Sequence, residues 1–243
     1  MKNVWILFLS ALLISVSYSC IDNMDNDINE SDIYGYVSLF DEFGLKTDNH
    51  SMFVSAVDSV SEASGVSDVY GMYQINDVPF GTYKLVFEKP GFGTYVMNGI
   101  EHVANGKPTY IPVIPMLSEK STTTIPILTN KVSGDTIYLT VVTDPPATTR
   151  QNRYIRLFFD DKASVSDSTY KNYSKLLTAY KTPFTTYFTK DYFYETGYES
   201  GQTIYLKAYG DSFYSNAYYD EDSIKVFPNI NHDTPDALSF VLP

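Results

Sequence analysis

The chain has 243 residues, with 29 acidic against 17 basic side chains and a formal net charge of −12. Such an excess of negative charge disfavours nucleic acid as a partner, because DNA and RNA binding draws on clustered Lys and Arg. The 44% of hydrophobic residues, which include 22 Tyr and 15 Phe, is enough for one or two packed cores and is typical of all-β proteins.

The N-terminus predicts an exported chain. Lys2 precedes an apolar run from Val4 to Val16, which is shorter than a membrane-spanning helix needs, and small and polar residues follow. Cys20 is the only cysteine, so no disulfide can form within the chain. The order Ser17-Tyr18-Ser19-Cys20 resembles the lipobox of bacterial lipoproteins, which implies residues 1–19 as a signal peptide and Cys20 as the lipidated residue. An ordinary signal peptide cleaved nearby is the alternative.

Residues 20–32 are predicted to be an acidic tether, because they contain too little apolar surface to order themselves. The acidic residues after the cysteine also resemble the export signals of lipoproteins carried to the outer face of an outer membrane. The two interpretations are compatible. They imply a surface-exposed protein that is anchored in the outer membrane. The N-terminal lipid is the part of the protein that contacts the membrane.

The stretch from Asp68 to Tyr95 carries the strongest fold signal. Tyr73 and Ile75, then Tyr83, Leu85 and Phe87, alternate with polar neighbours, and the Pro79–Gly81 segment between them predicts a hairpin with one apolar face. Its motif resembles the carboxypeptidase regulatory-like domain, which implies a transthyretin-like β-sandwich over residues 33–118.

Further predictions in this domain concern its strands and turns. Ile33–Val37 and Phe53–Val57 are predicted strands, Asp41–Gly44 is a predicted turn, and Ile111–Pro115 is expected to be the closing edge strand. Gly71 and Gly81 are expected at turns that need positive φ.

Residues 122–243 are predicted to form a second β-sandwich after a polar joint at Lys120–Thr124. Five strands are predicted in this domain: Ile125–Leu128, Thr136–Val142, Arg153–Phe159, Thr203–Tyr209 and Ile224–Phe227. The segment Phe184–Tyr194 is expected to contain one or two more. Gly201–Gly210 resembles strand F of fibronectin type III or immunoglobulin-like domains, which places Ile204, Leu206 and Ala208 inward. Thr169–Ala179 is the one helix candidate. The fold class is therefore all-β, with two tandem sandwiches.

The aromatic residues of the second domain suggest a binding surface. Consecutive aromatics in a strand cannot all point inward, and exposed Tyr rings beside Asp and Asn can stack on sugars. Tyr on the wet face of a sheet is the alternative explanation. The candidate ligand-contacting residues are Tyr192, Tyr194, Tyr198, Tyr214 and Tyr218.

No catalytic or cofactor motif is found, so no catalytic residue, metal ligand or cofactor is assigned. His50, His102 and His232 stand outside any zinc-site spacing and are expected in loops. Asp220-Glu221-Asp222 is expected to be a solvated hairpin turn rather than a calcium site. The predicted function is a non-catalytic surface protein that binds a glycan or docks to a surface partner. A structural or assembly subunit and a glycan-active hydrolase are the alternatives, and an outer-membrane protein is the alternative partner.

Overall fold

The computed structural model describes residues 29–243, so the signal peptide, Cys20 and most of the tether lie outside the described residues. Residues 29–118 contain nine strands: β1 (Glu30–Tyr36), β2 (Ser38–Phe40), β3 (Phe53–Val57), β4 (Glu62–Val66), β5 (Met72–Pro79), β6 (Gly81–Glu88), β7 (Tyr95–His102), β8 (Thr109–Tyr110) and β9 (Met116–Ser118).

The remainder contains ten strands and one short helix: β10 (Thr124–Ser133), β11 (Thr136–Asp144), β12 (Arg153–Asp160), β13 (Asn172–Tyr173), β14 (Leu177–Ala179), β15 (Phe184–Thr189), α1 (Lys190–Glu195), β16 (Thr203–Asp211), β17 (Tyr218–Tyr219), β18 (Lys225–Val226) and β19 (Leu238–Val241). The all-β fold class is confirmed. Within residues 29–243, no helix has the length and apolar character needed to span a bilayer.

The first domain is a sandwich of two main sheets. One has the order β5-β1-β8 and the other the order β4-β3-β6-β7, while β2 and β9 form a separate parallel pair. The core lies between the sheets, where Ile33 and Ile75 from the first meet Val54, Leu85 and Phe87 from the second, all without exposed surface. This burial follows from the alternation along the strands, which places every second side chain on the inner face.

The predicted hairpin at Pro79–Gly81 is wrong in its pairing, although its alternation is right. β5 pairs with β1, whereas β6 pairs with β3 and β7, so the turn at Phe80 connects the two sheets. Periodicity identifies the apolar face of a strand but not its hydrogen-bonded neighbour, and here the two apolar faces lie in opposite sheets. Gly71 has the expected positive φ of 87°, but Gly81 begins β6 without one.

Two boundaries also differ from expectation. Ile111–Pro115 is not a strand, because Pro112 and Pro115 have no N–H to donate to a ladder. Only isolated backbone bonds remain there, from Ile111 N to the Tyr34 carbonyl at 2.9 Å and from Ser38 N to the Pro115 carbonyl at 3.0 Å. The end of the predicted tether is already strand, since Glu30 and Ser31 pair with β5.

The second domain is built from two sheets. One has three strands in the order β10-β11-β15. The other has five strands: four follow the order β13-β12-β16-β19, and the fifth, β14, also pairs with β12. Ile204, Leu206 and Ala208 point inward as predicted, with no exposed surface. They pack against Ile137 and Leu139 of the opposite sheet. The β17–β18 hairpin stands apart from both sheets.

The helix prediction is wrong in position. Thr169–Ala179 contains β13 and β14, whose residues pair with β12, and α1 occupies part of the segment predicted to be strand. The ring of Phe188, at the end of β15, packs against Tyr192 of α1 with centroids 4.8 Å apart. Phe193 is fully buried in the core and fixes the orientation of α1.

Candidate functional site

A polar cleft opens between the first domain and the β17–β18 hairpin of the second. It consists of two adjoining hollows of about 330 Å³ and 490 Å³ that share Lys84, Asn98 and Glu221. We call it the junction cleft. Its further lining residues include Thr82, Asp58, Tyr218 and Asp222.

The floor of the junction cleft comes from the outer face of β6 and β7. Thr82 and Lys84 point outward because Tyr83 and Leu85, their neighbours in the strand, are buried in the core. The β6–β7 register shifts between Tyr83 and Leu85, and Gly99 there has a φ of 70°. Such a bulge turns side chains out of the regular alternation, and Asn98 lies at this point in the cleft.

The hairpin supplies the opposite wall. Asp220 Oδ1 accepts hydrogen bonds from the backbone N–H groups of Asp222 at 3.0 Å and Ile224 at 2.8 Å. This carboxylate closes the turn, as expected for a solvated hairpin. Within residues 29–243, no group of three His, Cys, Asp or Glu side chains is placed to hold a metal ion.

Three contacts hold the hairpin over the sheet. Asn98 Nδ2 donates to the Tyr219 carbonyl at 2.7 Å, and the Tyr218 ring meets Tyr95 edge-on with centroids 6.1 Å apart. Lys84 Nζ lies 3.2 Å from Glu221 Oε1, with 40% and 81% of the two side chains exposed. An ion pair this exposed adds little to the stability of the fold. Because both side chains are exposed, both charged groups are accessible to a ligand.

Deeper in the junction, a buried amide network fixes the separation of the two walls. Asn229 has no exposed surface, and its Oδ1 accepts from the Gly93 N–H at 3.0 Å. Its Nδ2 donates to the carbonyls of Tyr214 at 2.8 Å and Ser118 at 3.1 Å. Asn216 Nδ2 donates to the same Asn229 Oδ1 at 3.1 Å. Buried polar networks that are fully satisfied are rigid, so the cleft has a preformed shape.

A further set of contacts joins the two domains at the Asp41–Gly44 turn. Glu42 accepts a hydrogen bond from the Thr122 N–H at 2.7 Å, and its Oε1 lies 3.7 Å from the Arg153 guanidinium. The predicted polar joint is therefore a packed part of the junction, with Ser121 and Thr123 buried.

The five predicted aromatic residues do not form one site. Tyr218 lines the junction cleft, where burial raises its pKa. Tyr214 lines a separate hollow of about 340 Å³ and packs against Phe40 with ring centroids 4.6 Å apart. Both belong to the region where the domains meet.

The other three aromatic residues are on or just after α1. Tyr198 is only 3% exposed, so its ring is not available to a ligand, contrary to the prediction. Tyr192 is partly buried against the core. Tyr194 is 38% exposed, and its hydroxyl donates to the Pro243 carbonyl at 2.7 Å. The predicted strand Phe184–Tyr194 gave way to α1 at Tyr192 and Tyr194, so strand alternation does not describe which way their side chains point.

The sequence interpretation missed the other lining residues of the junction cleft. Alternation along β6 could have placed Thr82 and Lys84 on its outer face. Nothing local could have brought Glu221 to them, because its contact with Lys84 spans 137 positions of sequence. Asn98 depends likewise on a bulge that no motif announces.

His102 was expected in a loop but ends β7, with 1% of its surface exposed. Its Nε2 lies 3.0 Å from the Val78 carbonyl, which can only accept, so Nε2 is the donor. In the neutral imidazole, Nδ1 then accepts from the Thr109 hydroxyl at 2.7 Å. Both nitrogens are satisfied by the fold.

Two carboxyl groups near the junction, those of Asp58 and Asp211, serve the fold. Backbone hydrogen bonds from Ser61 and Val60 lower the pKa of Asp58 in the junction cleft. Burial raises the pKa of Asp211, but this residue lies outside the cleft lining, and its Oδ2 accepts a hydrogen bond from Arg156 Nε at 2.7 Å. The arrangement of the cleft favours hydrogen bonding to a polar ligand.

No family model and no curated protein sequence matches the chain. Among solved structures, it is similar to a candidate carbohydrate-binding protein from Bacteroides uniformis, at 11% identity over 87% of this chain and 98% of that one, with a TM-score of 0.32. A DUF3823 family protein from the same organism gives 11% identity, 88% and 100% coverage and a TM-score of 0.31.

The chicken CNTN1 FN1–FN3 domains align at 8% identity over 81% of this chain and 57% of that one, with a TM-score of 0.31. At these scores the similarities carry no argument about the function of this chain.

Proposed function

We propose that this protein is a non-catalytic binding protein and that the junction cleft holds an oligosaccharide. The observation that carries the proposal is the convergence of Lys84, Asn98, Thr82 and Glu221 around one preformed hollow. Ammonium, amide, hydroxyl and carboxylate groups together can donate to and accept from the many hydroxyls of a sugar. Tyr218 adds an aromatic wall that can contact the apolar face of a sugar ring.

The size of the site fits this ligand class. Two hollows of about 330 Å³ and 490 Å³ lie within the range of small-molecule sites, and the amide network keeps their walls in place. A preformed site loses little conformational entropy when it binds.

We further propose that the chain is a lipoprotein anchored through Cys20 and displayed at the surface of an outer membrane. The support is the sequence pattern around Cys20 and the acidic residues that follow it. In this arrangement the tether would present the junction cleft to external glycans.

A second candidate function is a structural or assembly subunit docked to an outer-membrane protein. The rigid junction favours it, since a fixed pair of sandwiches makes a good spacer. Pull-down from solubilised membranes by the anchored protein tests it, and recovery of the protein alone would remove this candidate.

The experiment for the cleft is a binding screen of residues 29–243, which contain both cores, against a glycan array, followed by titration of each oligosaccharide found. Lys84→Ala with Glu221→Gln removes two charged hydrogen-bonding groups from the cleft, which should weaken binding about tenfold or more. Lys162→Ala with Glu199→Gln changes the same residue types at exposed positions elsewhere and should leave affinity unchanged. Equal affinity in both double variants would refute the cleft as the site.

A further inference from the structure

The outer face of the β10-β11-β15 sheet is a second ordered surface, distinct from the junction cleft. Ile137, Leu139 and Val141 of β11 are buried in the core, so the alternate residues of that strand face outward. Their partners on β10 and β15 face outward with them, because paired residues share a face of the sheet.

The strand register arranges hydroxyl groups in two rows across this face. Thr129, Thr140 and Thr185 are direct cross-strand partners, and the hydroxyls of Thr140 and Thr185 are 3.2 Å apart. The second row is four positions away along each strand and consists of Ser133, Thr136 and Thr189.

An aromatic row lies between the two hydroxyl rows. Tyr138 pairs with Lys131 on one side and with Tyr187 on the other. The two rings have centroids 6.3 Å apart and are 42% and 65% exposed. Neighbouring rows are about 7 Å apart, since two residues of a strand span that distance. We call these three rows the Thr/Tyr face.

The charge of the Thr/Tyr face differs from that of the whole chain. None of the residues in the three rows is acidic, although the chain carries 29 acidic side chains, and the only charge among them is Lys131. The three rows therefore contain no carboxylate, although Asp144 lies beyond them on the same face of β11, and the net charge of −12 opposes an anionic ligand but not an uncharged one. The exposed apolar groups in the rows are the two Tyr rings, and the next row of the same face adds Ile127, which is 51% exposed; a protein interface core needs more.

We propose that the Thr/Tyr face binds an extended, uncharged polysaccharide that crosses the strands along the row of Lys131, Tyr138 and Tyr187. The rings contact the apolar faces of successive sugars, and the hydroxyl rows on both sides donate to and accept from the sugar hydroxyls. The ligand class is the one proposed for the junction cleft, but the two sites share no residue, so either proposal can fail alone.

The test is affinity gel electrophoresis of residues 29–243 in native gels that contain galactomannan, mixed-linkage β-glucan, starch or anionic polygalacturonate. The wild type should be retarded by at least one neutral polysaccharide and not by polygalacturonate. Tyr138→Ala with Tyr187→Ala should raise the dissociation constant about tenfold, since two ring contacts are lost. Thr140→Val with Thr185→Val keeps the shape of the face and should also weaken binding, by a smaller factor.

Two controls separate this surface from others. Tyr70→Ala removes an 81% exposed ring from the first domain, and Lys162→Ala with Glu199→Gln changes two exposed charged residues outside both surfaces. Both should retain wild-type retardation on the polysaccharide that the Thr/Tyr face binds. The proposal is overturned if no neutral polysaccharide retards the wild type, or if the Tyr138 and Tyr187 variant binds as the wild type does. It is equally overturned if sedimentation shows that the wild type is a dimer and that the Tyr138 and Tyr187 variant is a monomer, because this face then holds a second copy of the chain.

Discussion

At the scale of single residues, the junction depends on buried polar groups whose partners come from the other domain. Arg153 is 4% exposed, its Nε has no hydrogen-bond partner within the described part of the chain, and its charge is balanced by Glu42. The Arg153 guanidinium also lies 5.2 Å from the centre of the Phe43 ring. Removing the partner of a buried charge lowers the stability of the protein, because the remaining charge is left without compensation.

We therefore expect Glu42→Ala to lower the free energy of unfolding by about 3 kcal/mol, because it leaves a buried guanidinium without a counter-charge. Glu42→Gln retains an acceptor for the Thr122 N–H and should cost less. Urea unfolding followed by fluorescence measures both, with Glu62→Ala at an exposed position as the control. A loss for Glu42→Ala no larger than for the control would contradict this role of Glu42.

Tyrosine ionisation should set the alkaline limit of stability. Burial raises the pKa of Tyr170 and of Tyr209 to about 12 each, and the Tyr170 hydroxyl donates to the Lys225 carbonyl at 2.7 Å. In the unfolded chain these groups lose their protons near pH 10. The unfolded state then binds fewer protons than the folded one, so stability should be fully retained below about pH 10 and fall as pH rises towards 12.

The check is denaturant unfolding at a series of alkaline pH values. Tyr170→Phe removes one of the titrating groups and should make the decline less steep. If the variant and the wild type lose stability with the same slope, Tyr170 does not contribute to it.

At the scale of elements, the sequence predicts where strands lie better than which strands pair. Phe53–Val57 was predicted with its observed bounds, and β11, β12 and β16 differ from their predictions by only one or two residues. Alternation reports burial, which is local. Pairing is decided by the packing of distant segments, so the assignment of β5 and β6 to opposite sheets could not be deduced from it.

Close backbone approach at β16 gives an element-scale prediction. A Cβ at Gly210 would overlap with the backbone carbonyl of Thr123, whereas at Gly81 it would meet only the Tyr83 ring at 3.4 Å. Gly210→Ala should therefore destabilise the protein by about 2 kcal/mol or more, and Gly81→Ala by less than about 1 kcal/mol. Thermal and urea unfolding of the two variants measure this, and equal losses would contradict the close packing of β16 on Thr123.

At the scale of the whole molecule, the domains are joined by contacts that no local pattern reveals. The Ser118 N–H donates to Asn216 Oδ1 at 2.8 Å across 98 positions of sequence. The composition of Lys120–Thr124 is that of a linker, yet this segment and Ser118 are held in place by hydrogen bonds to the distant side chains of Glu42 and Asn216. The polar walls of the junction cleft result from this docking, which is why the sequence could suggest Tyr218 as a candidate but none of the residues opposite it.

The proposed anchor belongs to the same scale, since a lipid at Cys20 would determine where the whole molecule resides. If Cys20 is the lipidated residue, Cys20→Ala should leave the full-length protein without lipid. The variant should then leave the membrane, because each acyl chain contributes about 0.8 kcal/mol per buried methylene. Detergent partitioning and intact mass of wild type and variant provide the measurement, and both sandwiches should remain folded. An unmodified wild-type N-terminus in the aqueous phase would exclude the lipoprotein assignment.

The most direct test of the central claim is an NMR titration of residues 29–243 with the best oligosaccharide from the glycan array, observed at the side-chain amide of Asn98. Asn98 Nδ2 already donates to the Tyr219 carbonyl and faces the hollow between the domains. A bound sugar should shift this amide resonance together with the backbone signals of Lys84, Tyr218 and Glu221. Saturable binding that leaves all four unchanged would contradict the account.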